Sequence, residues 1–240
     1  MRYLVSIASA GKDEKALKRY VESLSNLGDS IDKLISVEFP GYISDVYPLS
    51  KYLDCTTLQV QTEPKYPGNL FRFAFFPMGI NRSDTCVFTD THDIFFQGPI
   101  KIKDNKKIYV GSEYIKWKDT EFWKPILERY RVDVLMDKIV YNMGGWIMPF
   151  AKAYDLMDFL RKNYMMFGGA NWSDQILFNL WLLNQKFEVD NQFIGNLYNG
   201  LEVGEVIIKN KQVFNKKGEK YAIVHLNGGN KIKYLEQIYE

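Results

Sequence analysis

Apolar runs alternate with amphipathic stretches along most of this chain. Residues 3–9 read as a strand, and residues 11–28 read as the helix that follows it. Leu17, Tyr20 and Leu24 recur at helical spacing, and Gly28 supplies a stop signal. The chain therefore opens with a predicted β-α unit.

The same alternation continues toward the carboxyl terminus. The pattern predicts strands at 34–39, 57–60, 107–111 and 138–149, and short β runs at 203–208, 212–214 and 221–224. It predicts helices at 67–78, 120–130, 151–164 and 173–184, with a strand between the first two that ends at Asp90. We expect an α/β fold with a mixed, mostly parallel sheet flanked by helices. Without repeats or a clear linker, residues 1–240 are predicted to form a single domain.

Composition narrows the class of protein. With 46% hydrophobic and 15% aromatic residues, the 240-residue chain can bury a substantial core. The net charge of +2 is too small to favour nucleic acid as a partner. The lysine-rich segment 205–233 could attract an anionic phosphate or could be a solvated hairpin.

The cysteines and the length of the apolar runs indicate in which cellular compartment the protein resides. Cys55 and Cys86 lack the spacing of a disulfide framework or a zinc site, which favours reduced thiols. No apolar run reaches the roughly 18 residues of a membrane span. We expect a soluble, cytoplasmic protein without a transmembrane segment, with peripheral membrane association left open.

The most informative segment is 84–99, where an apolar run ends in Asp90, Thr91, His92 and Asp93. Ligands of open α/β sheets bind at such carboxyl ends of strands. The other histidine, His225, also follows an apolar run. Carboxylates in this spacing more often form turns or helix caps, but their place at a strand end favours a ligand site, and two carboxylates with an imidazole suit Mn²⁺ or Mg²⁺. His92 is the weaker ligand candidate, because adjacent side chains of extended backbone point to opposite faces.

Three glycine-containing or polar segments could serve the same site. Gly228 and Gly229 could cradle a phosphate with Lys231 nearby, or could form an ordinary hairpin turn. The segment 142–150 could bring backbone against a flat ligand or form a β-bulge. Ser173 is a candidate N-cap, which would place Asp174 and Gln175 at a helix end, where an acid also favourably meets the helix dipole.

The order D-x-x-D, N-x-G-G, D-Q and H-x-N-G-x-x-K between Val87 and Lys231 resembles nucleotide-sugar glycosyltransferases of the GT-A fold. It is most similar to the glycosyltransferase domains of collagen lysyl hydroxylases and collagen galactosyltransferases, and more distantly to glycogenin-like enzymes. The chain departs from the family pattern in the Gly-Asn pair before Lys231 and in Trp172-Ser173, where the family often has another acid. These departures leave the donor sugar and the role of Asp174 open.

The resemblance implies a metal-dependent transfer from a UDP-sugar to a hydroxyl of a glycan, a protein or a lipid-linked sugar. It implies that Mn²⁺ or Mg²⁺ is bound by Asp90, Asp93 and His225, and that catalysis depends on Asp174, Gln175 and Lys231. The donor-binding residues that it implies are Ser6, Ala8, Arg72, Asp90, Asn142, Gly144, Gly145, Asn227, Gly228 and Lys231.

The resemblance also implies retention of the anomeric configuration. An inverting enzyme would need a carboxylate base, for which Glu113 is a candidate, the alternative being a solvent-facing carboxylate. Tyr114 and the tryptophans Trp117, Trp123, Trp146 and Trp172 are candidates for sugar stacking, although core packing is the better interpretation of each.

Two other functions stay open. His92, Asp93 and His225 could form the iron site of a non-haem Fe(II) oxygenase, although the adjacency of His92 and Asp93 and the α/β pattern argue against it. The chain could also be a catalytically silent sugar-nucleotide or glycan-binding module.

Overall fold

A computed structural model describes residues 1–7, 14–38, 49, 52–59, 76–91, 93–102, 104–168, 170, 172–185, 188–226 and 238. The strands are β1 (Arg2–Ile7), β2 (Lys33–Glu38), β3 (Thr56–Gln59), β4 (Thr85–Asp90), β5 (Ile94–Phe96), β6 (Ile108–Lys116), β7 (Ile139–Pro149), β8 (Val189–Asp190), β9 (Ile194–Asn196), β10 (Val206–Lys209), β11 (Gln212–Asn215) and β12 (Ile223–His225). The α-helices are α1 (Glu14–Ser23), α2 (Trp123–Tyr130), α3 (Phe150–Asn163), α4 (Ser173–Leu183) and α5 (Leu197–Glu202).

A mixed sheet forms the centre of the fold, with strand order β3-β2-β1-β4-β7-β6-β9-β12-β5 and β8 paired to β6. The first four strands in this order are parallel. The long strand β7 runs antiparallel to both of its neighbours, β4 and β6. Beyond β6, the strands β9 and β12 are parallel again, and β5 closes the order antiparallel to β12. The hairpin β10-β11 is a separate two-stranded sheet.

A core cluster covers each face of the sheet. Neighbouring residues of one strand belong to different clusters, because alternate side chains of a strand point to opposite faces. Val5, Phe88 and Trp146 belong to the core cluster on the side of α3 and α4. Leu4, Val87 and Ile147 belong to the cluster on the side of α1. Phe88 and Trp146 stack with ring centroids 4.8 Å apart, so Trp146 is a core residue. Trp117 is likewise fully buried, which confirms core packing for these two tryptophans.

The pairing of β6 with β7 is interrupted twice. Val110 pairs with Trp146 and Ser112 with Tyr141, so residues 142–145 of β7 lie opposite Gly111 alone. Ser112 pairs with Tyr141 and Lys116 with Ile139, so residues 113–115 of β6 lie opposite Val140 alone. Such bulges bend a strand and redirect its side chains. The bulge considered for the Asn142 segment is thus present, and a second one follows in β6.

Most predicted elements are confirmed to within a few residues. The short strands β5, β8 and β9 and the helix α5 were not predicted, and the run predicted from residue 203 begins as a strand only at Val206. The helix predicted at 67–78 lies mostly outside the described residues. The lysines at 209, 211, 216, 217 and 220 are exposed, which confirms the solvated hairpin for this part of the segment. None of the described helices has the length and apolarity that a membrane crossing requires.

Candidate functional site

Asp93 and His225 meet where β5 and β12 adjoin. His225 is the last residue of β12 and pairs with Ile94 of β5. The backbone N–H of Leu226 donates to the carbonyl of Asp93 at 2.6 Å, which ties the two strand ends together. The imidazole Nε2 lies 3.7 Å from Asp93 Oδ1, and both side chains are largely buried. The structure therefore brings together two of the three predicted metal ligands.

The third predicted ligand, Asp90, is the last residue of β4 and is buried at 7% exposure. Among the described residues, no three His, Cys, Asp or Glu side chains form a group that could hold a metal ion. The donors nevertheless suit a hard divalent cation, since one is a carboxylate and the other an imidazole. Two ligands at right angles around Mg²⁺ lie about 3 Å apart. His225 Nε2 and Asp93 Oδ1, which are 3.7 Å apart, would have to approach each other by about 0.7 Å to reach this distance.

A buried asparagine supports the imidazole. Asn196 ends β9, lies beside His225 in parallel register and is fully buried. Its Oδ1 atom is 3.0 Å from His225 Nδ1. With a proton on Nδ1 this contact is an N–H···O hydrogen bond, and Nε2 of a neutral ring then keeps its lone pair on the side of Asp93.

Gly144 of β7 packs directly against the imidazole. A β-carbon at this position would stand 2.7 Å from His225 Cε1 and 2.9 Å from Nε2. At Gly145 the nearest atom would be Ile94 Cδ1, at 3.2 Å. Only glycine at 144 thus lets the imidazole occupy its present place, and the prediction that Gly144 belongs to the site has a specific structural basis. The roles of both glycines in sugar binding stay predictions.

A largely buried network of amide and carboxylate groups lies next to Gly144. Asn142 Nδ2 donates to Glu113 Oε1 at 2.8 Å, and Asn142 Oδ1 accepts from the Gly144 N–H at 2.7 Å. Gln175 Nε2 donates to the same Glu113 oxygen at 3.3 Å, and Gln175 Oε1 accepts from the Met143 N–H at 3.0 Å. Glu113 is 7% exposed, so the interpretation of Glu113 as a solvent-facing carboxylate is wrong.

Helix α4 anchors this network along β7. Asn179 exchanges two hydrogen bonds with the backbone of Tyr141, at 2.9 and 2.8 Å. Asp174 and Gln175 are buried at 4% and 8% exposure. The N-cap residue is Trp172 and not Ser173, which is the first helical residue. The prediction that Ser173 caps the helix is therefore wrong, and the first turn is packed into the protein, close to β7.

Ser6 faces inward beneath the end of β4. It is fully buried, and its hydroxyl is hydrogen-bonded to the phenol of Tyr20, which also bonds to Thr89 Oγ1 at 2.7 Å. Burial raises the pKa of Tyr20 to about 12, against smaller opposing effects of these hydrogen bonds. The described contact of Ser6 is internal to the protein, and its role toward a nucleotide stays a prediction.

Tyr114 occupies the second bulge in a left-handed conformation, with φ of 59°. Bulky residues adopt this region only at a cost, so neighbouring contacts must hold it. Its hydroxyl is 2.5 Å from that of Tyr221, which lies two residues before the first residue of β12, Ile223. Burial is the largest cause of the raised pKa of both phenols. This pair links the Glu113 bulge to the segment that leads to His225.

The remaining predicted site residues lie outside the described residues: Ala8, Arg72, His92, Asn227, Gly228 and Lys231.

Two residues of the described site were missed or misread from the sequence. Asn196 was missed, because the run Phe193-Ile194-Gly195 before it is too short and too rich in glycine to predict a strand. Glu113 was considered, but its burial depends on Asn142 and Gln175, which are 29 and 62 residues away.

No protein-family model matches this chain, and no curated protein matches it at a significant level. Geometry and side-chain chemistry are therefore the grounds for a functional proposal.

Proposed function

We propose that this protein is a metal-dependent glycosyltransferase that transfers a sugar from a UDP-sugar to a hydroxyl acceptor. The observation that carries the proposal is the buried pair of Asp93 and His225, with 3.7 Å between Oδ1 and Nε2. The pair lies among strand ends of an α/β sheet, which is where this class of fold binds ligands.

The donor atoms match the chemistry that such a transfer needs. Asp93 and His225, with Asp90 as the proposed third ligand, would hold Mn²⁺ or Mg²⁺. A divalent cation bound there stabilises the negative charge that develops on the departing diphosphate. Lys231 and Gly228 are proposed to contact the same leaving group, as the resemblance implies.

The buried network supplies a rigid wall for the sugar. Asn142 and Gln175 both donate to Glu113, and each also accepts from a backbone N–H of β7. Groups fixed in this way need not reorganise during a reaction, which favours catalysis. Since both amides use Glu113 as their acceptor, we assign Glu113 a holding role, compatible with the proposed retention of configuration. Asp174, at the start of α4, is proposed to lie near the reacting carbon.

The alternatives receive less support. An oxygenase site would require His92, which lies outside the described residues, and the mixed α/β sheet differs from the all-β barrel expected for such enzymes. A silent sugar-nucleotide-binding module would share the fold and the metal site but not turnover. Only an activity measurement separates it from an enzyme.

Hydrolysis of the donor tests the proposal without knowledge of the acceptor. The protein is incubated with a panel of UDP-sugars and Mn²⁺, and released UDP is measured. We expect release with at least one donor, its loss on chelation of the metal, and its loss in Asp93→Ala. Lys162→Ala is the control, because Lys162 is exposed on α3 and pairs only with Asp158 among the described contacts. Release that persists in Asp93→Ala, or binding of UDP-sugar without release, would contradict the enzymatic proposal.

A further inference from the structure

Asn196 and His225 form a buried side-chain pair that no motif of the sequence indicated. They are opposite each other in the parallel register of β9 and β12, so their side chains lie on the same face of the sheet. Asn196 is 0% exposed and His225 is 4% exposed. We infer that Asn196 is a positioning residue that fixes the imidazole of His225 in the tautomer with a proton on Nδ1 and none on Nε2.

The hydrogen bond itself gives the first reason. Asn196 Oδ1 lies 3.0 Å from Nδ1, a normal distance for an N–H donor and a carbonyl acceptor. A neutral imidazole carries one N–H, so a donating Nδ1 leaves a lone pair on Nε2. That lone pair is what a metal ion requires. Metal-binding histidines generally donate their other N–H to an oxygen in this way.

The distance to Asp93 gives the second reason. If Nε2 carried the proton, it would donate to the Asp93 carboxylate, and such charge-assisted bonds are about 2.7–2.9 Å long. The observed distance is 3.7 Å. In the inferred tautomer Nε2 and Asp93 Oδ1 face each other as two acceptors, an arrangement that a cation between them would stabilise. The significance of the tautomer for catalysis rests on the proposed function, whereas the tautomer itself does not.

Two glycines keep the amide and the imidazole side by side, because backbone packs closely against both. A β-carbon on Gly111 would lie 3.0 Å from Asn196 Oδ1 and 3.1 Å from Nδ2. A β-carbon on Gly144 would lie 2.7 Å from His225 Cε1. Backbone thus packs against the amide on one side and against the imidazole on the other. A reversed Asn196 amide would fill the same space but would present Nδ2 to Nδ1 and move the proton to Nε2, so the two orientations differ in the tautomer that they produce.

Nuclear magnetic resonance distinguishes the two arrangements in the metal-free protein. The chain has two histidines, so His92→Gln leaves His225 as the single imidazole. Long-range ¹H–¹⁵N correlation spectra are recorded at about pH 8.5, where an ordinary imidazole is neutral. We expect a protonated Nδ1 and an unprotonated Nε2. The opposite pattern, or an even mixture, would overturn the inference whatever the protein binds.

Two substitutions test the role of Asn196. Asn196→Asp keeps an acceptor and should retain the tautomer, whereas Asn196→Leu removes the acceptor and should give a mixture. With UDP present, Mn²⁺ affinity measured by electron paramagnetic resonance should fall about 10- to 100-fold in Asn196→Leu. An unchanged tautomer in Asn196→Leu would overturn the inference. The predicted tautomer in a protein without any affinity for Mn²⁺ and UDP would contradict the proposed function and leave the role of Asn196 intact.

Discussion

Gly144 and His225 are in backbone-to-ring contact across the sheet: a β-carbon on Gly144 would come within 2.7 Å of His225 Cε1. Residue 144 lies in the β7 bulge opposite Gly111, so an irregular strand and a residue without a side chain together create the space for the imidazole. The position of the proposed metal ligand therefore depends on a residue that has no functional group.

Gly144→Ala tests this dependence. The added methyl group must displace the imidazole, which would disturb the arrangement of Nε2 and Asp93. We expect metal-dependent binding of UDP to weaken at least about tenfold, with a loss of about 1–3 kcal/mol in the free energy of unfolding from overpacking. Isothermal titration calorimetry and urea unfolding measure the two quantities.

Gly98→Ala is the matched control. A β-carbon at Gly98 would meet only the end of the Lys220 side chain, at 3.7 Å, an ordinary contact distance. We expect unchanged UDP binding in this variant. Normal metal-dependent binding in Gly144→Ala would show that the contact with the imidazole does not matter for the site.

Substitution of Glu113 separates a holding role from a role as catalytic base. Glu113→Gln keeps an oxygen that can accept from Asn142 and Gln175, so stability should change by less than about 1 kcal/mol and most UDP-sugar hydrolysis should remain. Glu113→Ala leaves the buried amide of Gln175 and the half-buried amide of Asn142 without that acceptor. We expect it to cost about 2–5 kcal/mol in urea unfolding and to abolish hydrolysis.

The contrary result for Glu113 is equally specific. If Glu113→Gln folds with normal stability but loses hydrolysis more than about 100-fold, the carboxylate acts as a general base. The proposed retention of configuration would then give way to inversion.

We predict that ionisation of Tyr20 lowers the free energy of unfolding at alkaline pH. Burial raises its pKa from 10.0 to about 12. The pKa of Tyr20 is higher in the folded protein than in the unfolded chain. The stability that the neutral phenol contributes is therefore complete below about pH 10 and is lost as the pH rises toward 12. The loss amounts to about 3 kcal/mol over this range.

The comparison of wild type with Tyr20→Phe isolates this effect from the other buried tyrosines. Urea unfolding at about pH 9 and pH 11 should show a smaller decrease in stability for the variant. Equal decreases in both proteins would mean that the phenol of Tyr20 titrates normally in the folded state.

The sequence predicted the elements that carry a long apolar signal and missed those that depend on distant partners. Strand β4 was predicted because Val87 and Phe88 form an apolar run that is separated from Asp90 by a single residue, Thr89. Strand β9 was missed because three residues, one of them Gly195, are too few for a period-two pattern. The burial of Glu113 could not be predicted, since it arises from a bulge and from amides on β7 and α4.

The residues of the candidate site also fall into those that local motifs indicated and one that they did not. Local motifs indicated Asp93, Gly144 and His225, and the structure brings these three together. Asn196 escaped notice because its importance lies in its strand register with His225, which no local pattern contains.

The most direct test of the account is isothermal titration calorimetry of UDP with and without Mn²⁺, on wild type, Asp93→Ala, His225→Ala and the control Lys162→Ala. We predict binding that requires Mn²⁺, that is lost in both site variants and that is unchanged in the control. Absence of UDP binding under every metal condition, or equal binding with and without Mn²⁺, would contradict the proposed metal-diphosphate site.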